Sequence, residues 1–149
     1  MPDGTEQDFD IKLEGRVCCC LPVTDDGHVI LVRQYRPGPG KILLELPGGG
    51  LGKDEDSMEG MRRELLEETG YIGDLEPTSV LYRSAYSTSV KHNFLALHCR
   101  KVADPVPDVG EFVEVVLIPL SDLHTHLLSG ELTDTDTGWV GLEKLKENR

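Results

Sequence analysis

The stretch that decides the fold is GGLGKDEDSMEGMRRELLEETGY, residues 49–71. Asp56 can cap a helix N-terminus through its side chain, with Glu59 in the reciprocal position of a capping box. Gly70 suits the left-handed conformation that ends a helix. Three apolar residues fall in one narrow sector of this helix and form its core-facing side: Met58, Met61 and Leu65. The stretch therefore predicts a glycine turn followed by an amphipathic helix.

The adjoining face of the predicted helix carries three glutamates, Glu64, Glu67 and Glu68. Like charges three and four residues apart repel each other by about 0.2–0.5 kcal/mol per pair, and the C-terminal half of a helix disfavours anions. A solvated acidic face is the ordinary interpretation of a charge run. These residues break local rules without a structural gain, which favours a functional site. A hard cation such as Mg²⁺ would turn the repulsion into binding, and Gly60 on the same face leaves room for another backbone segment.

The same residues resemble the box motif of the Nudix family. Gly49 is followed after five residues by Glu55, and after seven more by RELLEETGY at 63–71, so that every fixed position of the pattern is filled. Tyr71 is a loose fit at a position that is usually aliphatic. Nudix proteins are magnesium-dependent hydrolases of nucleoside diphosphates linked to another moiety. The resemblance implies a Mg²⁺ cofactor, with Mn²⁺ as the alternative, held by the three glutamates.

Four residues of the box have structural roles in this interpretation: Gly49, Glu55, Arg63 and Gly70. At about 100° per residue, Arg63 cannot share the direction of the acids. We expect it to orient the glycine loop through Glu55. Gly49 and Gly70 form the turns at the two ends of the box.

Length and composition limit the class of protein. A chain of 149 residues with a net charge of −12 fits one acidic globular domain, predicted at 15–149 after a polar tail at 1–14. Residues 1–10 lack the features of a signal peptide, and no apolar run is long enough to span a membrane. The net charge argues against nucleic-acid or membrane binding. The consecutive cysteines at 18–20 alternate sides of a strand, which excludes a shared zinc ion and favours small core residues in a reducing cytoplasm.

The remaining chain alternates between strand and turn patterns. A hairpin is predicted from strands at 15–23 and 28–35. Further strands are predicted at 42–46, 80–85, 92–97 and 112–119, a loop at 101–110, and helices at 120–129 and 135–147. This pattern predicts an α/β (α+β) protein with a mixed sheet between helices. The Nudix resemblance implies the same fold, an α/β/α sandwich with one catalytic loop and helix.

The region before the box resembles the ADP-ribose (ADP-sugar) pyrophosphatase branch of the family, through RQYRP at 33–37 and LELPG at 44–48. In that branch the arginine matching Arg36 contacts substrate phosphate, and the carbonyl matching Gly48 ligates metal. A guanidinium fork suits phosphate oxygens, and a carbonyl is a hard ligand. The alternative for Arg36 is an ordinary surface arginine.

Two neighbouring residues complete the predicted substrate-binding set, Arg33 and Glu45. Glu45 alternates with leucines on both sides, so it points away from their face. It is predicted either as a further ligand of metal or substrate, or as a solvent-facing residue.

The segment PDVGEFVEV at 107–115 resembles a stretch of the same branch whose glutamate, on a mobile loop, is the catalytic base. This implies that role for Glu111. Residues that bind cations are poor bases, so a carboxylate from outside the metal site is needed. Glu114 and Asp108 are the reserve candidates, with Glu67 assisting the metal ions or the water. A surface glutamate at the start of a strand is the alternative for Glu111.

The resemblance thus implies hydrolysis of the pyrophosphate bond in a nucleoside diphosphate sugar, with ADP-ribose expected first and AMP and ribose 5-phosphate as products. The rivals are another Nudix substrate (a nucleoside triphosphate, a dinucleoside polyphosphate or a different sugar nucleotide) and a catalytically silent nucleotide sensor. The sensor is disfavoured because the box carboxylates are all present. Two departures from the branch, Ala85–Tyr86 where a proline is usual and a short N-terminal region, leave the sugar and a homodimer open.

Overall fold

The computed structural model describes residues 1–106 and 113–148, so Asp108 and Glu111 lie outside the described residues. The strands are β1 (Val17–Thr24), β2 (His28–Arg36), β3 (Lys41–Glu45), β4 (Gly48–Gly50), β5 (Tyr71–Tyr82), β6 (Val90–Lys101) and β7 (Val113–Pro119). The helices are α1 (Ser57–Thr69), α2 (Leu120–Leu127) and α3 (Thr135–Glu147).

Strand β1 is the centre of a mixed sheet. It runs parallel to β6 and antiparallel to β4, and β6 pairs in turn with β5 at the edge. Strand β2 joins β1 through the predicted hairpin, with Val23 opposite Val29, and pairs on its own two sides with β3 and β7. The predicted mixed sheet is therefore confirmed.

Helices cover both faces of this sheet. Successive side chains of β1 point in opposite directions, so they pack against different helices. Cys18 and Cys20 pack in one apolar cluster with Met61 and Leu65 of α1. Cys19 packs in a second cluster, which includes residues of α2 and partly buried residues of α3. All four cysteines of the chain are free and buried. The arrangement is the predicted α/β/α sandwich, and the cysteines are core residues.

Helix α1 begins and ends where the sequence predicts. The Asp56 carboxylate accepts hydrogen bonds from the backbone N–H groups of Met58 at 3.0 Å and Glu59 at 3.1 Å. Gly70 ends the helix at φ 73°. The Glu59 side chain contacts Arg62 instead of closing a reciprocal capping box. The helix start is therefore stabilised by Asp56 alone in this motif.

The prediction for Gly60 was wrong in one respect. A Cβ atom at this position would lie 2.2 Å from the Leu51 side chain and 3.2 Å from the Glu55 carboxyl carbon. Side chains of the preceding loop, and not a second backbone segment, occupy the space that this glycine leaves. Gly60 thereby lets the loop close over the first turns of α1.

Three elements differ from the sequence prediction. β5 begins directly after Gly70 and ends at Tyr82, and β6 is longer than predicted at both ends. Their pairing contains irregularities at Ile72/Asp74 and Pro77/Ser79, which interrupt the alternation of apolar and polar residues on which the prediction depends. Gly48–Gly50, predicted as a turn, pairs with β1 as a short strand.

The predicted N-terminal tail ends against the loop between β5 and β6. The Lys12 backbone N–H donates to the Tyr86 carbonyl at 2.8 Å, and the Glu14 N–H donates to the Thr88 hydroxyl at 2.9 Å. Within the described part of the chain, no helix is long and apolar enough to cross a membrane.

Candidate active site

A cleft of about 340 Å³ opens beside the N-terminal end of β1. Its walls are the β4 glycines, the segment Arg36–Pro39 at the end of β2, and four residues from later parts of the chain: Arg83, Lys91, Thr133 and Asp134. The cleft therefore brings together Arg36 and Gly48, two predicted site residues that are twelve positions apart in the sequence.

The box glutamates reach the glycine wall of this cleft from α1. The Glu68 carboxylate, which is 5% exposed, accepts a hydrogen bond from the Gly48 N–H at 2.8 Å. A Cβ atom on Gly49 would lie only 2.5 Å from the Glu64 carboxyl group. The Gly49 position must therefore lack a side chain for Glu64 to lie against the turn. Glu67 is more exposed and contacts Arg63 at 2.9 Å.

Arg63 connects the helix to the loop before it. Its guanidinium lies 3.1 Å from Glu55, 2.8 Å from Glu64 and 2.9 Å from Glu67, and donates to the Gly50 carbonyl at 3.2 Å. The expected contact with Glu55 is present. The sequence assigned Arg63 a contact with Glu55 only, but its long side chain also reaches Glu64 and Glu67.

These contacts favour the charged forms of both Arg63 and Glu55. The hydrogen bond to Glu55 raises the pKa of Arg63, against the opposing effect of burial, and the bonds to Glu67 and Glu64 raise it further. The hydrogen bond from Arg63, followed by that from the Gly52 N–H, lowers the pKa of Glu55. Arg63 therefore offsets much of the carboxylate repulsion that the sequence alone suggests.

The donor groups fit a hard divalent cation by their chemistry. Carboxylates of Glu64 and Glu68 lie beside the same short glycine strand, which also carries the Gly48 carbonyl, and oxygen donors of this kind suit Mg²⁺. Residues 1–106 and 113–148 hold no ready-made group of three acidic, histidine or cysteine side chains around one point. A cation bound to Glu64 would compete with Arg63 for the same carboxylate.

Glu45 is completely buried, so the solvent-facing interpretation was wrong. One carboxylate oxygen forms an ion pair with Arg36, and the other accepts hydrogen bonds from the Thr133 N–H at 3.0 Å and hydroxyl at 2.6 Å. Arg36 lines the cleft with its side chain 34% exposed. Glu45 thus holds the Arg36 guanidinium at the cleft and has little capacity left for a ligand of its own.

Arg33 and Glu114 lie elsewhere. They face each other across β2 and β7, and their side chains form an exposed ion pair at 2.7 Å. Neither is among the described residues that line the cleft. The structure therefore does not bring Arg33 to the predicted substrate site, and it places the reserve base Glu114 in a surface pair.

Sequence reasoning missed the second wall of the cleft, which includes Lys91. The Lys91 side chain is 6% exposed, and its ammonium lies 2.9 Å from Asp134 and 2.5 Å from Asp136. Burial alone would lower the pKa of Lys91, but the two aspartates together raise it. The available signal was the alternation of Lys91 and Asn93 on a strand whose other residues are mostly apolar.

Comparison with known proteins identifies the family of this chain. Residues 13–138 match the NUDIX domain family. The chain is 32% identical over 143 residues to the ADP-ribose pyrophosphatase of Bacillus subtilis, covering 94% of this chain and 77% of that protein. It is 37% identical over 106 residues to the ADP-sugar pyrophosphatase of Mus musculus, covering 66% of this chain and about half (49%) of that one.

A solved structure titled as an ADP compounds hydrolase shares the fold, with a TM-score of 0.78. The two sequences are 24% identical, over 89% of this chain and 74% of the other. With the box helix, the glycine wall and the family match in agreement, the chain belongs to the NUDIX domain family as a Nudix pyrophosphohydrolase.

Proposed function

We propose that this protein hydrolyses the pyrophosphate bond of a nucleoside diphosphate sugar in a Mg²⁺-dependent reaction, with ADP-ribose as the first substrate to test. The products would be AMP and ribose 5-phosphate. One observation carries the proposal: the β4 strand is contacted by Glu64 and Glu68 and also forms a wall of the cleft that Arg36 lines. An arrangement of this kind suits a diphosphate between metal-binding carboxylates and a guanidinium.

The metal-binding residues in this proposal are Glu64, Glu67 and Glu68 together with the Gly48 carbonyl. Mg²⁺ (or Mn²⁺) bound there would neutralise the diphosphate and polarise the attacked phosphorus. The described residues supply the rest of the positioning. Gly49 leaves space for the Glu64 carboxylate, and the Gly48 N–H fixes the Glu68 carboxylate.

Arg36 orients the diphosphate. Its Nε is held by the buried Glu45, and its side chain remains one-third exposed toward the cleft. A preorganised guanidinium loses little conformational freedom when it binds phosphate oxygens. The net charge of −12 makes such local cations necessary for an anionic substrate.

Glu111 is the proposed general base that accepts the proton of the attacking water, a role that rests on the family resemblance. Glu67 is the alternative among the described residues, since it is partly exposed beside the other box acids. Its carboxylate already accepts a hydrogen bond from Arg63 at 2.9 Å, so it would have to leave this contact to take a proton from water. Residues 15–149 are proposed to form one catalytic domain, which the family match over residues 13–138 supports.

The choice of substrate is supported by the named activities of the two relatives, one on ADP-ribose and one on ADP-sugars. A panel assay would test it. Release of phosphomonoester is measured with ADP-ribose, ADP-glucose, GDP-mannose, UDP-glucose and the nucleoside triphosphates in the presence of Mg²⁺. Highest kcat/KM with an ADP-sugar is expected, and a preference for a triphosphate would contradict the proposal.

Two controls show that the activity belongs to this site. Chelation should abolish hydrolysis and added Mg²⁺ should restore it. Glu64→Gln and Glu68→Gln remove hard anionic ligands while keeping side-chain size, so turnover should fall steeply in both. Near-normal turnover in either variant, or full activity in chelator, would show that these glutamates do not bind a required metal.

A further inference from the structure

The wall of the cleft beyond β1 has no role in the reaction proposed above. Val17 lies opposite Gly50 on one side and opposite Lys91 on the other. Since neighbouring strands are separated by about 4.8 Å, Lys91 begins roughly 10 Å from the glycine wall. The Lys91 side of the cleft is therefore as far from the glycine wall as the part of a substrate next to the diphosphate would reach.

Lys91 is both charged and fixed in place. Its side chain is almost fully buried, and it forms two close ion pairs, with Asp134 and Asp136. Asp134 is itself 18% exposed and lines the cleft, whereas Asp136 is 40% exposed and is not among the described lining residues. A buried ammonium held by two carboxylates has few conformations, which suits it for recognition.

The charge balance of this group disfavours a phosphate. Within this group one ammonium faces two carboxylates, so an anion bound directly to Lys91 would meet net negative charge, and Arg83, the other cation of this wall, is not part of the group. Arg36, with a single carboxylate partner, is the better phosphate contact. The Lys91 group therefore suits a neutral ligand that both donates and accepts hydrogen bonds.

We propose that Lys91 and Asp134 form a subsite for the vicinal hydroxyl groups of a substrate sugar, an inference that rests on the proposed function. A carboxylate oxygen can accept more than one hydrogen bond, so Asp134 can accept from two adjacent hydroxyls while it keeps Lys91. The ammonium has three donors, of which the two aspartates take two. The third can donate to a sugar oxygen.

The neighbouring Thr133 connects this subsite to the phosphate contact. Its hydroxyl donates to Glu45, which holds Arg36, while the next residue, Asp134, holds Lys91. The two cations are thus positioned by consecutive residues of one loop. The cleft volume of about 340 Å³ is at the lower end of the range for ligand pockets, in keeping with one sugar beside a diphosphate.

The test removes the diol from the ligand and the acceptor from the protein. kcat/KM is measured for ADP-ribose, for the analogue with 2-deoxyribose as terminal sugar, and for the analogue with 2′,3′-dideoxyadenosine. The kcat/KM of the wild-type enzyme should be roughly 10- to 100-fold lower with one of these analogues than with ADP-ribose. The analogue that shows this loss identifies the sugar that occupies the subsite. Equal rates with all three substrates would overturn the proposal.

Asp134→Asn separates recognition from structure, with Asp136→Asn as the matched control. Asp134→Asn should lower kcat/KM about 10-fold for ADP-ribose and less than about 2-fold for the analogue that lacks the recognised diol. Asp136→Asn also removes a negative charge beside Lys91, but it should change kcat/KM by the same factor for all three substrates. A uniform effect of Asp134→Asn would reduce Asp134 to a structural role and overturn the proposal. The wild-type comparison remains decisive should the Asp134 variant not fold.

Failure of the proposed function would be recognised separately, as absence of turnover with any nucleoside diphosphate sugar. In that case calorimetry tests the subsite by comparing ribose 5-phosphate with 2-deoxyribose 5-phosphate, and AMP with 2′,3′-dideoxyAMP. Tighter binding of a diol-bearing compound, lost in Asp134→Asn, would support the subsite. Equal binding within both pairs, or no binding of any compound, would overturn it.

Discussion

Replacing Arg63 with methionine should destabilise the metal-free protein and increase the stabilisation that Mg²⁺ provides. The guanidinium lies within 3.1 Å of three carboxylates and also binds the Gly50 carbonyl. Methionine keeps most of the aliphatic side chain but removes the charge. Glu55, Glu64 and Glu67 are then left close together without their common cation.

The expected cost follows from the number and exposure of these contacts. Arg63 is 39% exposed, so each ion pair is screened by solvent and contributes only about 0.2–1 kcal/mol. Because contacts that share one guanidinium are not additive, we expect the three pairs and the backbone hydrogen bond together to contribute about 1–2 kcal/mol to the unfolding free energy, below the upper limit of their sum. For a chain of this length, that loss corresponds to a melting temperature lower by about 2–8 °C.

The assay is urea denaturation in chelator and in Mg²⁺, with Arg62→Met as the matched control. Arg62 is the preceding arginine on the same helix, and its ion pair is an exposed one with Glu59. Its replacement should cost less than about 0.5 kcal/mol. Mg²⁺ should restore more stability to Arg63→Met than to wild type, because the cation no longer competes with a guanidinium for Glu64. Equal destabilisation by the two variants in chelator would refute this account of Arg63.

Three further predictions address the site. Glu111→Gln should lower kcat by about 10²–10⁴-fold with little change in KM. A rate within a few-fold of wild type would move the search for the base to Glu67, because Glu114 lies in a surface ion pair away from the cleft. Gly49→Ala should abolish the Mg²⁺-dependent rise in melting temperature, because its Cβ atom would lie 2.5 Å from the Glu64 carboxyl, whereas Gly50→Ala, with open space around the new Cβ, should retain that rise. Arg63 lowers the pKa of Glu55 below its ordinary value of 4.5. The ionised Glu55 therefore stabilises the fold fully above pH 4.5, and this contribution is lost as the pH falls through the lowered pKa. Glu55→Gln should therefore be less stable than wild type at neutral pH and show a smaller loss of stability in acid, and parallel stability–pH curves would contradict this assignment.

Local sequence determined the box helix almost completely. The cap at Asp56, the core residues Met61 and Leu65 and the ending at Gly70 all depend on residues within one or two helical turns of each other. Such interactions can be predicted from spacing alone. The alternation of residues 18–20 across β1 likewise predicted core cysteines on opposite sides of the strand, and these cysteines pack in two separate apolar clusters. The role of Glu111 as base stays a prediction, since it lies outside the described residues.

Tertiary structure decided how the side chains around the site are paired. The Arg63 guanidinium, which pairs with Glu64 and Glu67 of its own helix, also binds Glu55 and the Gly50 carbonyl, because the folded glycine loop brings these groups to it. Glu45 is buried, and not solvent-facing, because the loop after α2 closes over it and supplies Thr133 from 88 positions away. Lys91 meets Asp134 across 43 positions. Contacts at such separations leave no local pattern in the chain, so only packing of the elements could place these charged groups around one cleft.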